Sequence, residues 1–333
     1  MKRSVKHKIL PLVLALSLTA VMLGACGDTE AETETEVETT PELSGTLQVY
    51  HAGSLAVPLA EVNEEFNKLY PDVEVFAEGA GSSTTIRKVT ELGKECGIIA
   101  SADYSLIPDL MYPDYADWYI IFATNQMCIC YTDQSAYGDE IDGENWYEIL
   151  QKEGVTYGRS DPDQDPCGYR TLMVWQLADI HYGATGLYDK LYEAEGDLMR
   201  PKSVDLIALL ESGDLDYAFE YTSVAAQHSL NYVELPPEIN LADATKKDFY
   251  AQAQVEIAGA EPGSKLVQVG SPIVYGLTIP SNFPHKELAI AWMEVMLGST
   301  GTGIMEENGQ PPVVPALTDN KNAVPAELHK YLK

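Results

Sequence analysis

Between Thr46 and Asp103 the chain passes twice through one order: an alternating apolar segment, a loop of small residues, then a segment of helical period. Thr46–Tyr50 alternates and predicts a strand, and His51-Ala52-Gly53-Ser54 predicts a turn. Leu55, Leu59, Val62, Phe66 and Leu69 then recur at helical spacing until Pro71. Val73–Ala77 predicts a second strand, Gly79-Ala80-Gly81-Ser82-Ser83 a loop, and Ile86 and Val89 the next helix. Ile98–Ala100 predicts a short third strand ahead of Ser101-Ala102-Asp103. Such alternation demands parallel strands joined by crossover helices, because neighbouring parallel strands cannot be linked by a tight turn. In these sheets ligands sit beyond the carboxyl ends of the strands. Ser54 and Ser82 fall at those ends. Glycines there permit close backbone approach, and the following helix N-termini offer unpaired N–H groups. Neither loop has the spacing of a Walker A or a dinucleotide fingerprint, and a serine in such a place is also a common helix cap.

The second half predicts another lobe. Trp118–Thr132 is a long apolar, β-rich run that reads as strands crossing from the first lobe into the second. Trp146–Leu150 predicts the start of a helix and Val155–Gly158 a strand. Asp161 to Arg170 (Asp-Pro-Asp-Gln-Asp-Pro-Cys-Gly-Tyr-Arg) then leads into a helix reaching Tyr182. Pro166 suits a first helical turn, where its missing N–H costs little, and Asp165 sits where a capping carboxylate belongs. Val204–Leu210 predicts a helix and Leu215–Tyr221 a strand, so that Glu220 lies at a carboxyl end with Thr222 or Ser223 capping a helix to about Leu230. Ile273–Ile279 predicts the return strand, Leu288–Leu297 an amphipathic helix, and Gln310–Pro315 a rigid terminal stretch. The expected division is 45–127 plus 275–333 for the first lobe and 128–274 for the second.

Residues ahead of Thr46 predict an address, not a fold. Lys2, Arg3, Lys6 and Lys8 precede an apolar run from Ile9 to Leu23, too short for a membrane span and typical of a secretory leader. The run ends Leu23-Gly24-Ala25-Cys26, which resembles the lipobox of bacterial lipoproteins, with Cys26 becoming the lipid-bearing N-terminus. From Asp28 to Glu42 acidic residues and threonines dominate, a composition that cannot bury enough apolar surface to fold and predicts an extended tether.

Charge excludes one class of partner. The net charge is −30; the leader contributes +4 and the tether −7, leaving −27 on the rest. Nucleic-acid binders need basic surface, and an anion cannot be steered from a distance by this field. Any bound anion has to be held by local donors and dipoles. Apart from Cys26, four cysteines remain. Cys128 and Cys130, two apart in a strand-like run, are expected to face opposite sides of the sheet and lack metal or redox spacing. Cys96 and Cys167 stand alone, and sequence does not fix any pairing.

Taken in order, His-Ala-Gly-Ser-Leu (51–55), Gly-Ser-Ser (81–83), Ala-Ser-Ala-Asp-Tyr (100–104), Asp-Pro-Cys-Gly-Tyr-Arg (165–170), Glu-Tyr (220–221) and Gln-Pro-Pro-Val-Val-Pro (310–315) resemble the tungstate/molybdate-binding proteins of ABC importers, most closely the archaeal-type branch. The likeness spans nearly all of the chain after the tether. It implies an α/β, two-lobed periplasmic-binding-protein fold of type II, hinged at two crossover segments, that closes on an oxyanion. It implies that Ser54 and Ser82 hold oxyanion oxygens, and that Asp165 and Glu220 place carboxylate oxygens on the metal atom, raising it from four ligands to six. The implied contact set is Gly53, Ser54, Ser82, Asp165, Cys167, Glu220, Tyr221, Thr222 and Tyr232, with Asp161 and Asp163 as alternatives to Asp165. Hexavalent tungsten and molybdenum are hard centres that favour oxygen donors. The implied partners are the oxyanion, the permease subunits and, through the lipid on Cys26, the extracytoplasmic face of the cell membrane; the implied state is a monomer with no cofactor.

Other ligands fit the same fold: sulfate, phosphate, or ferric iron, for which the 20 tyrosines are candidate donors. Catalysis has weaker support. Ser54, His51 and Asp103 can be drawn as a triad, or Cys167 as a nucleophile beside His181, but no G-x-S-x-G elbow is present. The expectation is a binding protein and not an enzyme.

Overall fold

The computed structural model describes residues 42–194 and 198–333. The leader, Cys26 and all of the tether up to residue 41 lie outside the described residues. In chain order the strands are β1 (Gly45–Ala52), β2 (Val73–Ala80), β3 (Ile98–Ser101), β4 (Ile120–Thr124), β5 (Met127–Tyr131), β6 (Tyr157–Ser160), β7 (Met199–Arg200), β8 (Tyr217–Tyr221), β9 (Asn231–Glu234), β10 (Gln254–Ala258), β11 (Lys265–Val269), β12 (Val274–Thr278) and β13 (Pro312–Thr318).

These strands build two principal sheets, with orders β13-β4-β12-β3-β1-β2 and β7-β6-β8-β5-β9, plus a β10-β11 ribbon. Each sheet anchors one lobe. The chain leaves the first sheet after β4 and enters the second at β5, with Asn125 and Gln126 between them, and returns between β11 and β12. The expected parallel start is present: β1 pairs in parallel with both β2 and β3. The return segments β12 and β13 pair antiparallel, which alternation in the first sixty residues could not reveal.

Burial explains the strands. β3 and β8 are buried at every position, as interior strands covered on both faces must be. The helix Pro166–Tyr182 is buried on nearly every side from Pro166 to Ala178, so it shows no amphipathic stripe. Around it Trp175 and Trp146 pack edge-on against Phe219, with ring centroids 5.5 and 5.8 Å away. In the first lobe the helices Ala56–Leu69 and Lys286–Leu297 cover the sheet, and Trp292 Nε1 donates to Asn63 Oδ1 at 2.7 Å.

Several expectations need correction. β2 continues to Ala80, so residues read as a loop end a strand, and the next helix starts at Ser82. The strand expected at Val155–Gly158 is Tyr157–Ser160, because the Asp216 carboxylate accepts both the N–H and the hydroxyl of Thr156 and holds it outside the ladder. Gln310–Pro315 leads into the edge strand β13, whose register against β4 slips between Pro312 and Leu317; prolines are tolerated at such an edge. Tyr221, not Thr222 or Ser223, occupies the cap position of the helix Thr222–Gln227, and no side chain caps it. Cys128 and Cys130 do not face opposite sides. Residues two apart in a strand share a face, and their sulfurs lie 3.8 Å apart as free, buried thiols.

Candidate functional site

Asp165 is the residue on which the two lobes converge. It caps the helix Pro166–Tyr182, with Oδ1 accepting from Cys167 N at 3.1 Å, and its Oδ2 accepts from Ser203 N at 2.8 Å. The local sequence dictates the turn. Asp161 Oδ1 accepts from Asp163 N and its Oδ2 from the Gln164 side chain, while Asp163 Oδ1 accepts from Ala258 N in β10. Asp161 and Asp163 are thereby spent on loop and ribbon, and Asp165 is the buried one of the three.

Opposite it stands the N-terminus of the helix Ser82–Thr90. Gly81 has no room for a side chain: a Cβ there would sit 2.2 Å from Gln164 O and 3.0 Å from Asp165 Cβ. The Ser83 and Thr84 N–H groups donate across the cleft to Gln164 O, at 3.1 and 3.4 Å. Ser82 is fully buried, and its Oγ accepts from Ala102 N at 3.0 Å, which leaves the hydroxyl proton to be donated. Ser83 Oγ is buried without a hydrogen-bond partner.

Ser54 lies in the short turn Gly53–Leu55. Its hydroxyl shares a 2.8 Å hydrogen bond with Tyr275 OH, and its carbonyl accepts from Gln310 Nε2 at 3.1 Å. Gly53 packs on the second lobe, where an added Cβ would meet Val204 at 3.1 Å. At the crossover Asn125 Nδ2 donates to Tyr275 OH at 3.0 Å and to Ser223 Oγ at 2.8 Å. Asn125, Tyr275 and Gln310 escaped sequence reasoning, although the polar Asn-Gln break inside the apolar run from Trp118 marked the place. Nothing in the sequence singled out Ser203.

Glu220, near the end of β8, is fully buried; its Oε2 accepts from the adjacent Tyr221 N at 3.2 Å, the Ser203 hydroxyl also faces the carboxyl, and Oε1 has no partner. Burial, reinforced by the neighbouring Asp165 charge, pushes the Glu220 carboxyl up to about 8. Burial also raises Asp165, opposed by the N–H groups of Ser203 and Cys167. Cys167 is pushed well up by burial and by both carboxylates, so it is a thiol, and its Sγ–H points to Phe219 O at 3.5 Å. Tyr221 is buried and accepts from Arg170 Nη1, whereas Thr222 faces the crossover through Gln126 O and Asn125 Oδ1. Tyr232 is 45% exposed on the outer strand β9 and is not brought to this cluster.

The catalytic alternatives have no geometry behind them. His51 Nδ1 pairs with Ala52 O, and Asp103 is taken by Arg170 and Tyr169, so no Ser–His–Asp relay forms. His181 lies in the last turn of the helix that Cys167 opens, 14 residues and roughly 21 Å along its axis.

Two α/β lobes joined by two crossovers, with buried serines and carboxylates where they meet, are the architecture of a two-lobed solute-binding protein. A family model for bacterial extracellular solute-binding proteins matches residues 47–310, and the chain belongs to that family. It is 50% identical over 293 residues to an uncharacterized solute-binding protein of Petrotoga mobilis, covering 88% of this chain and 91% of the relative. It is 40% identical over 333 residues to the molybdate/tungstate-binding protein WtpA of Pyrococcus abyssi, covering 90% of this chain and 93% of that one. Among solved structures, the periplasmic molybdate-binding protein of Azotobacter vinelandii shares the fold with a TM-score of 0.55 at 18% identity, over 79% of this chain and 98% of its own.

Proposed function

We propose that this protein binds tungstate or molybdate between its lobes and delivers it to the permease of an ABC importer. The observation that carries this is the pair Asp165 and Glu220: two buried carboxylates side by side, one with an oxygen lacking any hydrogen bond, in a wall otherwise supplied with serine hydroxyls. Carboxylates facing a dianion are repulsive, unless they bond to its central atom. A hexavalent tungsten or molybdenum centre accepts such oxygen donors. In this assignment Ser54 and Ser82 donate to the oxyanion oxygens, and Asp165 and Glu220 complete the metal's coordination. The similarity to WtpA supports the same ligand class.

A ferric ligand is less well supported, since burial holds the Tyr275 phenol up at about 12 and Tyr221 well above its ordinary value, away from phenolate. Cys26 carries the lipid that keeps the protein on the extracytoplasmic membrane face, and the protein acts as a monomeric carrier, not an enzyme. Native mass spectrometry and titration calorimetry of the purified protein with tungstate test the assignment. The expected result is one oxyanion per chain, recovered chemically unchanged. Saturable binding of sulfate or phosphate with none of tungstate would overturn it.

A further inference from the structure

Two motifs singled out in the sequence, Ala-Ser-Ala-Asp-Tyr and the end of Asp-Pro-Cys-Gly-Tyr-Arg, have no part in the oxyanion contacts above. The structure joins them. Asp103 follows β3 in the first lobe, Arg170 lies on the helix Pro166–Tyr182 in the second, and both are buried. Arg170 Nη2 meets Asp103 Oδ2 at 2.9 Å. Its Nη1 donates to Ala102 O and to Tyr221 OH, each at 2.8 Å. Tyr169 OH donates to the same Asp103 Oδ2 at 2.7 Å, and Oδ1 accepts from Ser105 N and Oγ at 3.0 and 2.9 Å.

We propose that Asp103 and Arg170 are positioning residues that form an interlobe latch, setting how much of the protein is closed and how long the oxyanion is held. This rests on the proposed binding of an oxyanion between the lobes. A buried ion pair adds little net stability over an apolar contact, but it is intolerant of misplacement, because removing either partner strands a buried charge. Here the partners belong to different lobes, so both charges are fully compensated only when the lobes are in register. The guanidinium matters as a planar fork: Nη2 takes the carboxylate while Nη1 takes the carbonyl and the phenol, a spread over two nitrogens that the single nitrogen of an ammonium does not reproduce.

The latch is wired to the site at both ends. Ala102, whose carbonyl takes one Arg170 bond, gives its N–H to Ser82 Oγ. Tyr221, which takes another, follows Glu220 directly, and Arg170 shares its helix with the cap Asp165. A shift of the latch therefore moves a serine on one side and the carboxylates on the other. A second cross-lobe arginine differs in kind: Arg87 donates to Ala258 O and Gly259 O at a part-buried rim and pairs with Glu91 of its own helix.

Apparent affinity falls in proportion to the population of the binding-competent state. A variant that lowers the closed fraction tenfold thus weakens tungstate binding about tenfold, through faster release. The test uses Asp103→Asn and Arg170→Lys, with Tyr169→Phe as a milder change that deletes one hydrogen bond. Small-angle scattering of the ligand-free protein reads closure, and stopped-flow displacement reads tungstate release, with circular dichroism melts confirming that each variant folds. The expected result is a larger ligand-free radius and about tenfold faster release in the first two variants, an intermediate shift in Tyr169→Phe, and unchanged association rates. If wild type fails to bind tungstate, the oxyanion assignment falls while the scattering comparison still decides the latch. Folded variants with the wild-type radius and release rate would overturn it.

Discussion

Glu220 is the residue at which the chemistry is most exposed to test. It binds its proton more tightly in the folded chain than its ordinary value of 4.5 allows, up to about 8, because of burial and Asp165. Between those values the folded state holds more protons than the unfolded one, so stability of the ligand-free protein falls as pH rises through that window and levels off above it. Each unit of the shift is worth about 1.4 kcal/mol. Glu220→Gln should flatten this decline in a series of melts between about pH 5 and 8; an unchanged slope would remove Glu220 as its source. Ligation of tungstate by the ionised carboxylate should also release a proton at pH 7, seen as a buffer-dependent binding enthalpy that Glu220→Gln abolishes. Selectivity belongs to the same two residues. A unit charge pair at about 4 Å is worth roughly 4 kcal/mol at an effective dielectric of 20. Sulfate meets the Asp165 charge with a sulfur that cannot expand its coordination and leaves Glu220 protonated, whereas tungstate takes both carboxylates as ligands and offsets the repulsion with two new bonds. Asp165→Ala with Glu220→Ala should therefore weaken tungstate sharply and leave sulfate unchanged or slightly improved. Calorimetry with both anions decides, and full tungstate affinity in the double variant would show that neither carboxylate is a ligand. Asp165→Ala alone should also cost about 1 kcal/mol of stability, since it deletes a helix cap.

At the scale of elements, the close approach of the helix Ser82–Thr90 to the Gln164 turn is what the two lobes share. Gly81 makes it possible, because a methyl there would collide with Gln164 O. Its backbone is extended, at φ −60° and ψ 144°, so alanine is conformationally acceptable and only the contact across the cleft is lost. Gly81→Ala should leave the melting temperature of the ligand-free protein nearly unchanged and weaken tungstate binding about tenfold or more, through incomplete closure. A large loss of stability with normal affinity would place the constraint within the first lobe instead. The elements themselves were unevenly legible. Interior strands and the long buried helix showed as apolar runs, but the two-stranded ribbon β10-β11 went unread although Val255 and Ile257 alternate as buried residues in β10, and β9 is exposed at three of its four positions. β9 exists because β5, about 100 residues earlier, supplies its hydrogen bonds.

For the whole molecule, two crossovers and an interlobe site predict hinge closure. Small-angle scattering should show a smaller radius with saturating tungstate, and equal radii with and without it would rule out closure in solution. Anchoring is a second prediction at this scale. Cys26→Ser should release the protein from the membrane fraction or leave it unprocessed, and a processed Cys26→Ser protein that still partitions into detergent would exclude the lipid.

The chain's order of apolar period and small-residue loops determined the class of fold, because periodicity is a local property that burial imposes on each segment. The same local signals placed Ser54, Ser82, Asp165 and Glu220 at helix starts and strand ends. Tertiary structure alone decided which of three aspartates is buried and that Tyr232 stays outside. It alone revealed that Asn125, Tyr275 and Gln310 organise the crossover and that Asp103 meets Arg170. Those contacts join residues 67 to 256 positions apart. Their partners are chosen by how the two sheets pack, which no local pattern encodes.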